Sequence, residues 1–111
     1  MRIAVASDGL NVADNFMQSK NFNYYTTTGF EVDDSKNIPI EGINCEEYPS
    51  LMALIGIDAL ICNVITPRYR LAFEDKGITV HDGAQGNALE AARLFVAQQA
   101  GILCQSFDED D

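Results

Sequence analysis

The sequence predicts an α/β fold in which parallel strands alternate with helices. The segment from Leu51 to Asp82 reads as helix, strand, helix and strand, and it supplies the main observation. Its two strands, Ala59–Val64 and Ile78–His81, are short and apolar, and a helix separates them. A connection of this kind excludes a hairpin and predicts a parallel pair with a right-handed crossover.

The first strand is expected at Arg2–Ser7, where a short apolar run containing β-branched residues precedes Asp8 and Gly9. A polar loop without regular periodicity follows at Leu10–Asn21. Long polar loops directly after a first strand often carry binding residues, so this loop is a candidate part of a site.

A β-hairpin is expected next. Aromatic and β-branched residues predict its first strand from Phe22, the turn cluster Asp33–Asn37 follows, and the second strand is expected at Ile38–Ile43. A turn at Thr28–Gly29 is the alternative register. Pro39 cannot donate a backbone hydrogen bond, which favours an edge position for the returning strand.

Two helices are predicted from their end signals. Pro49 lies in the first turn of one helix, and Gly56 ends it. The other begins with Thr66 as the cap and Pro67 at the first helical position, and it ends at Gly77.

A third helix is expected at Ala88–Ala100. Asn87 and Glu90 form the pattern of a capping box at its start, and Gly101 is expected to end it. With 111 residues and 47% hydrophobic content, the chain is expected to form a single domain over residues 1–103. Residues 104–111 are expected to be an acidic, disordered tail.

The charge of the chain argues against nucleic acid as a partner, because 17 acidic residues against seven basic ones give a net charge of −10. The three cysteines, Cys45, Cys62 and Cys104, are an odd number without Cys-x-x-Cys spacing, which argues against a disulfide framework and a zinc site. No run is apolar enough for a signal peptide or a membrane span, so the expected partners exclude membranes and the expected location is cytoplasmic.

Ligands of parallel sheets bind where the strands end at their carboxyl side, so the candidate site is the rim that holds Asn63, Thr66 and Asp82. Arg68 and Arg70 lie near the start of the second predicted helix, where positive charge does not help the helix itself. An anion bound to the first-turn amides would explain them. Pairing with surface carboxylates is the other interpretation, and the sequence leaves both open.

In this order, the elements and several of their residues resemble the dinitrogenase iron-molybdenum cofactor-binding family, which comprises nitrogenase accessory domains and small stand-alone relatives. The resemblance covers Met1 to about Ile102. The segments that carry it are Arg2–Ala6, Val12–Phe16 followed by Phe22, Gly56–Ile61 with Thr66–Arg68, and Gly77–Val80 with Gly83–Gly86.

The resemblance implies a ribonuclease H-like mixed sheet of about five strands with helices on its faces. It also implies that the chain is not an enzyme and binds or carries a metal-sulfur cluster containing molybdenum or iron. The cofactor-binding residues expected at the rim are Asp8, Asn15, Asn63, Thr66, Arg68 and His81. The chain departs from the family pattern at Asn15, where the family usually has His, and at Asn63–Thr66, where it usually has glycines.

Three functions compete at this stage. The first is a non-enzymatic carrier of a small anionic cluster or oxoanion, and the second is an interaction module of the same fold that has lost cluster binding and acts through partner proteins. The third is a metal-dependent nuclease, which needs several carboxylates around paired metals. The positions of Asp8, Asp14 and Asp58, together with the negative charge, argue against the nuclease.

Overall fold

A mixed β-sheet forms the centre of the fold. The computed structural model describes residues 1–29 and 31–108, with side chains as far as Gln98. The strands are β1 (Arg2–Asp8), β2 (Asn11–Val12), β3 (Asn21–Thr28), β4 (Glu31–Pro39), β5 (Ala59–Ile61) and β6 (Thr79–His81). The helices are α1 (Tyr48–Leu54), α2 (Pro67–Asp75) and α3 (Ala88–Asp108), with short 3₁₀ turns at Phe16–Gln18 and Cys45–Glu47.

The strand order is β4-β3-β1-β5-β6, and β2 adds a short pairing to β1. β1, β5 and β6 are parallel neighbours, with Ile3 opposite Ala59 and Leu60 opposite Val80. β3 and β4 form an antiparallel hairpin that continues the sheet beyond β1. The predicted α/β class, the mixed sheet and the parallel crossover are therefore confirmed.

The hairpin turns at Gly29 and not at the predicted cluster Asp33–Asn37, so the alternative register is the correct one. Gly29 has a φ of +61°, a conformation that glycine adopts readily in tight turns. The cluster lies within β4, where polar side chains are tolerated because β4 is an edge strand with many exposed positions. Pro39 is the last residue of this edge strand, as its missing N–H predicts.

The helices cover both faces of the sheet. Met52 of α1 and Phe73 of α2 are fully buried against one face. Ala92, Phe95 and Val96 of α3 are buried against the other, as the apolar spacing of this helix predicts. Each face therefore has its own apolar core.

α1 and α2 end in the same way, at the two glycines that the sequence predicts as stops. Gly56 has a φ of +79°, and the amide of Ile57 folds back to the carbonyl of Met52 at 3.0 Å. Gly77 has a φ of +80°, and the amide of Ile78 bonds to the carbonyl of Phe73 at 3.1 Å. These are Schellman ends, in which the chain leaves the helix and enters the next strand directly.

α3 begins at Ala88 as expected, and the side chain of Asn87 accepts a hydrogen bond from the amide of Glu90 at 3.1 Å. Only this half of the expected capping box is present among the described residues, because the carboxylate of Glu90 accepts from Arg93 at 3.2 Å. The expected end at Gly101 is wrong, since the helix continues to Asp108; a glycine inside a helix costs about 1 kcal/mol and does not force an end. Residues 109–111 lie outside the described residues, so the division into a domain at 1–103 and a tail at 104–111 stays a prediction. No described helix is long and apolar enough to cross a membrane.

Candidate functional site

The carboxyl ends of β1, β5 and β6 meet at one rim, and backbone hydrogen bonds hold the loops that follow these strands together. The amide of Phe16 donates to the carbonyl of Val64 at 2.8 Å, which joins the loop after β1 to the loop after β5. The amide of Gly83 donates to the carbonyl of Asn63 at 2.8 Å, which joins the loop after β6 to the same segment. The predicted rim is therefore a continuous surface.

Phe16 fixes the first of these loops. Its buried ring lies at the centre of an aromatic cluster. The centre of this ring is 5.5 Å from that of Phe73 and 5.7 Å from that of Tyr69, both of α2, and 5.9 Å from that of Tyr48 of α1. The loop after β1 is thus held against both helices of this face by Phe16, a residue of the Val12–Phe16 segment that carries the family resemblance.

Two of the predicted site residues belong to this first loop region. Asn15 caps the 3₁₀ turn, because its side-chain oxygen accepts the amide hydrogen of Met17 at 2.9 Å. Asp8 is exposed at the end of β1, and its carboxylate lies 3.9 Å from the ammonium group of Lys20. Asn15 lies at the rim beside Val64, whereas Asp8 is directed to solvent near Lys20.

Thr66 and Arg68 occupy the start of α2. Thr66 is the N-cap residue, but the structure does not confirm its expected capping role, because its side chain makes no capping hydrogen bond. The guanidinium of Arg68 lies 3.3 Å from the carboxylate of Glu46 and 5.9 Å from the centre of the Tyr69 ring. Arg68 therefore follows the surface-pairing interpretation that the sequence leaves open.

Asn63 and His81 lie at the ends of the two central parallel strands. Asn63 is half-buried, and its backbone carbonyl accepts the hydrogen bond from the amide of Gly83. The His81 ring packs at 5.4 Å on Phe95, which belongs to the core beneath α3. His81 thus faces the sheet side opposite to α2, and the six predicted residues do not converge as one set of side chains.

A different group of side chains does come together at the rim, between α2 and β6. The guanidinium of Arg70 lies 3.1 Å from the carboxylate of Asp82 and 3.9 Å from that of Glu74, and it donates to the carbonyl of Val80 at 3.4 Å. Asp82 is part of the predicted rim and Arg70 is one of the two arginines singled out from the sequence. The spacing of Arg70 and Glu74 by four helical residues is the signal for their pairing.

Cys62 is buried beside this group. Burial, together with the negative charge of Asp82 and partly opposed by Arg70, raises the pKa of its thiol to about 12. A thiol with this pKa keeps its proton at neutral pH, and the protonated form is a poor metal ligand. Cys62 therefore packs as a small apolar residue, as the sequence predicts.

The described side chains do not fit a metal-sulfur cluster held by protein ligands. Within that part of the chain, no three His, Cys, Asp or Glu residues are grouped to hold a metal ion. The rim instead presents backbone N–H groups. The first intrahelical hydrogen bond of α2 runs from the amide of Arg70 to the carbonyl of Thr66 at 3.0 Å, so the amides of Arg68 and Tyr69 have no partner within the helix.

Comparison with protein families decides the relationship. The family described as dinitrogenase iron-molybdenum cofactor matches residues 1–98. The chain belongs to this family. No curated protein matches this chain.

Solved structures share the fold of this family member at low sequence identity. PH0822 is 23% identical with a TM-score of 0.81, and the match covers 88% of this chain and 90% of that one. MJ0327 from Methanocaldococcus jannaschii is 19% identical with a TM-score of 0.73, covering 88% and 89%. The apo form of the orange protein from Desulfovibrio gigas is 18% identical with a TM-score of 0.73, covering 88% of each chain.

Proposed function

We propose that this family member is a non-enzymatic carrier that binds a small anionic metal-sulfur cluster or oxoanion at the rim. The observation that carries the proposal is the meeting of the ends of β1, β5 and β6 at the start of α2. Membership of the dinitrogenase iron-molybdenum cofactor family supports a ligand of this chemical class.

In this proposal the backbone, and not a set of side-chain ligands, holds the anion. The free amides of Arg68 and Tyr69 lie at the positive end of the α2 dipole, which is a common arrangement for binding anions. Of the predicted site residues, Asn15, Asn63 and Thr66 belong to the segments that meet there. Asp8, Arg68 and His81 are engaged by Lys20, Glu46 and Phe95.

Two measurements test the proposal. Elemental analysis of protein purified without added metal reports whether molybdenum or iron is retained. Calorimetric titration with tetrathiomolybdate and with molybdate then measures binding directly, and we expect saturable binding of at least one of them. Protein that contains no metal and shows no heat of binding for either anion would contradict the proposal.

A matched pair of variants locates the site. Thr66→Glu places a negative charge at the start of α2, and it should weaken anion binding roughly tenfold or more through like-charge repulsion. The variant should still fold, because Thr66 makes no capping bond and a carboxylate suits a helix amino terminus. Thr79→Glu introduces the same charge at the opposite end of β6 and should bind the anion as the unmodified chain does.

A second candidate function is an interaction module that works through a partner protein. Two exposed leucines favour it: Leu54 of α1 is 83% exposed and Leu71 of α2 is 65% exposed, on helices that pack against each other. Light scattering after size exclusion would reveal a homodimer, which Leu71→Asp should dissociate and added molybdate should not affect. A monomer at all accessible concentrations that also loads an anion would favour the carrier.

A further inference from the structure

A cleft of about 300 Å³ lies on the α3 face of the sheet, between the β3–β4 hairpin and the start of α3. Its volume lies at the lower end of the range found for small-molecule sites. Apolar walls come from Leu10, which is 73% exposed, and from the half-buried Leu89. The amide of Ala88 donates to the carbonyl of Leu10 at 2.8 Å, so the two walls are held in a fixed relation.

Two polar residues at the bottom of the cleft are almost completely buried, with Asn23 5% exposed and Tyr25 4% exposed. The Asn23 amide nitrogen donates to Ser7 Oγ and to the carbonyl of Gly9, both at 2.9 Å. Its carbonyl oxygen and the Tyr25 hydroxyl have no hydrogen-bond partner among the described residues. Among the described residues no unpaired side-chain N or O atom is fully enclosed, so each of these two oxygens keeps some exposed surface, and both residues line the cleft.

Asn87 supplies the complementary group at the edge of the cleft. Its side-chain oxygen is occupied as the α3 cap, accepting from the amide of Glu90 at 3.1 Å, which leaves the side-chain NH₂ group available as a donor. The cleft therefore offers an acceptor at Asn23, a donor at Asn87, and a hydroxyl at Tyr25 that can do either. Burial raises the pKa of Tyr25, so this hydroxyl keeps its proton at neutral pH.

The surroundings of the cleft disfavour an anion. Lys36 borders it, but the strand register places Lys36 opposite Tyr24, so its side chain lies on the other sheet face. The adjoining space is lined by Asp33 and Arg93, and the guanidinium of Arg93 is already 3.2 Å from the carboxylate of Glu90. By the same register Asp34 lies opposite Thr26, so its side chain is also on the other sheet face. The charges around the cleft are thus acidic overall, within a chain of net charge −10.

We propose that this cleft binds a small, uncharged, planar molecule whose edge carries both a hydrogen-bond donor and an acceptor, in the chemical class of the nucleobases. The flat faces would contact Leu10 and Leu89, and the polar edge would pair with Asn23, Tyr25 and Asn87. The proposal does not depend on the carrier function, because the cleft lies on another part of the molecule and takes a ligand of different charge.

The test is a ¹H–¹⁵N NMR titration of the full chain with four small probes: uracil, glucose, benzoate and benzylamine. We expect saturable shifts with uracil, strongest at the side-chain amides of Asn23 and Asn87, and no saturable shifts at these positions with the other three. Tyr25→Phe keeps the buried ring and should weaken uracil binding roughly 2- to 10-fold, the value of one neutral hydrogen bond. Asn87→Ser retains a good N-cap and removes the amide donor, so it should weaken uracil binding similarly.

Tyr24→Phe is the matched control, because Tyr24 is the neighbouring strand residue on the opposite face, and it should bind uracil as the unmodified chain does. No saturable shift with uracil would overturn the proposal. Equal binding of uracil by the chain and by Tyr25→Phe would also overturn it. Binding of glucose, benzoate or benzylamine in place of uracil would overturn the assignment of the ligand class.

Discussion

The guanidinium of Arg70 lies 3.1 Å from the carboxylate of Asp82, and this contact joins α2 to the residue that follows β6. The two side chains are 38% and 55% exposed, so solvent screens much of their attraction. The pair adds to the backbone bonds that hold the rim together and does not replace them.

A double-mutant cycle with Arg70→Ala and Asp82→Asn should give a coupling free energy of about 0.5 to 1 kcal/mol in urea unfolding, and less at high salt. The Arg68–Glu46 pair is the control. Its side chains are 77% and 62% exposed, so its coupling should be smaller. A coupling for Arg70 and Asp82 that does not change with salt would contradict this account.

Alkaline pH should destabilise the fold through Cys62. Burial raises the pKa of its thiol from 9.0 to about 12, so the unfolded chain loses this proton at lower pH than the folded chain. The stability that Cys62 contributes is therefore complete below pH 9 and is lost as the pH rises toward 12. Burial also raises the pKa of Tyr48 to about 12, which acts in the same direction.

Unfolding free energies measured at intervals above pH 9 should fall less steeply in Cys62→Ala than in the unmodified chain, with Tyr48 and Tyr25 accounting for the slope that remains. Asp82→Asn should lower the pKa of Cys62, since Asp82 is one of the causes of its elevation. If the unfolding free energy fell equally steeply with pH in the unmodified chain and in Cys62→Ala, the thiol would have the same pKa in the folded and the unfolded state.

Phe16→Ala should lower the free energy of unfolding by about 3 to 5 kcal/mol, the usual cost of removing a fully buried aromatic ring. The ring contacts both helices of its face, so its loss should also loosen the loop that bonds to Val64. Met17→Ala changes the next residue, which is 44% exposed, and should change stability by about 0.5 kcal/mol or less. Equilibrium urea unfolding measures both, and equal effects would contradict the assigned role of Phe16.

The two helix caps should respond differently to the same substitution. Asn87→Ala removes the side-chain oxygen that accepts the amide of Glu90, and it should cost about 1 kcal/mol. Thr66→Ala removes an exposed side chain that makes no capping bond, and it should change stability by about 0.5 kcal/mol or less. Thermal unfolding of both variants, followed by circular dichroism, would reveal the difference, and similar losses would mean that Thr66 caps α2 in solution.

The parallel core was predictable because local signals and global topology agree there. Pro67 and Gly77 mark the ends of α2, and two apolar strands flank it, so one right-handed crossover satisfies every signal. The hairpin was harder, because a cluster of turn-forming residues lies within β4. Such residues are unfavourable in a strand that pairs with a neighbour on each side. β4 pairs with β3 alone, so it can contain them without forming a turn.

The candidate site was predictable as a place but not as a set of contacts. The position of the rim follows from the parallel direction of β1, β5 and β6. That direction was predictable because the helix between β5 and β6 requires a crossover connection. The partner of Arg68 is Glu46, 22 residues earlier in the chain, and the neighbour of His81 is Phe95 on another helix. Contacts of that kind depend on how helices rotate on the sheet, and a single sequence does not specify this rotation.

The loops of the rim are joined main chain to main chain, from Phe16 to Val64 and from Gly83 to Asn63. Bonds of this type do not depend on which side chains the joined residues carry. Exchanging the outward-pointing residues of these loops should therefore alter what the surface recognises while its shape persists. Engineering of a new specificity could begin at Asn63 and Thr66 without first rebuilding the scaffold.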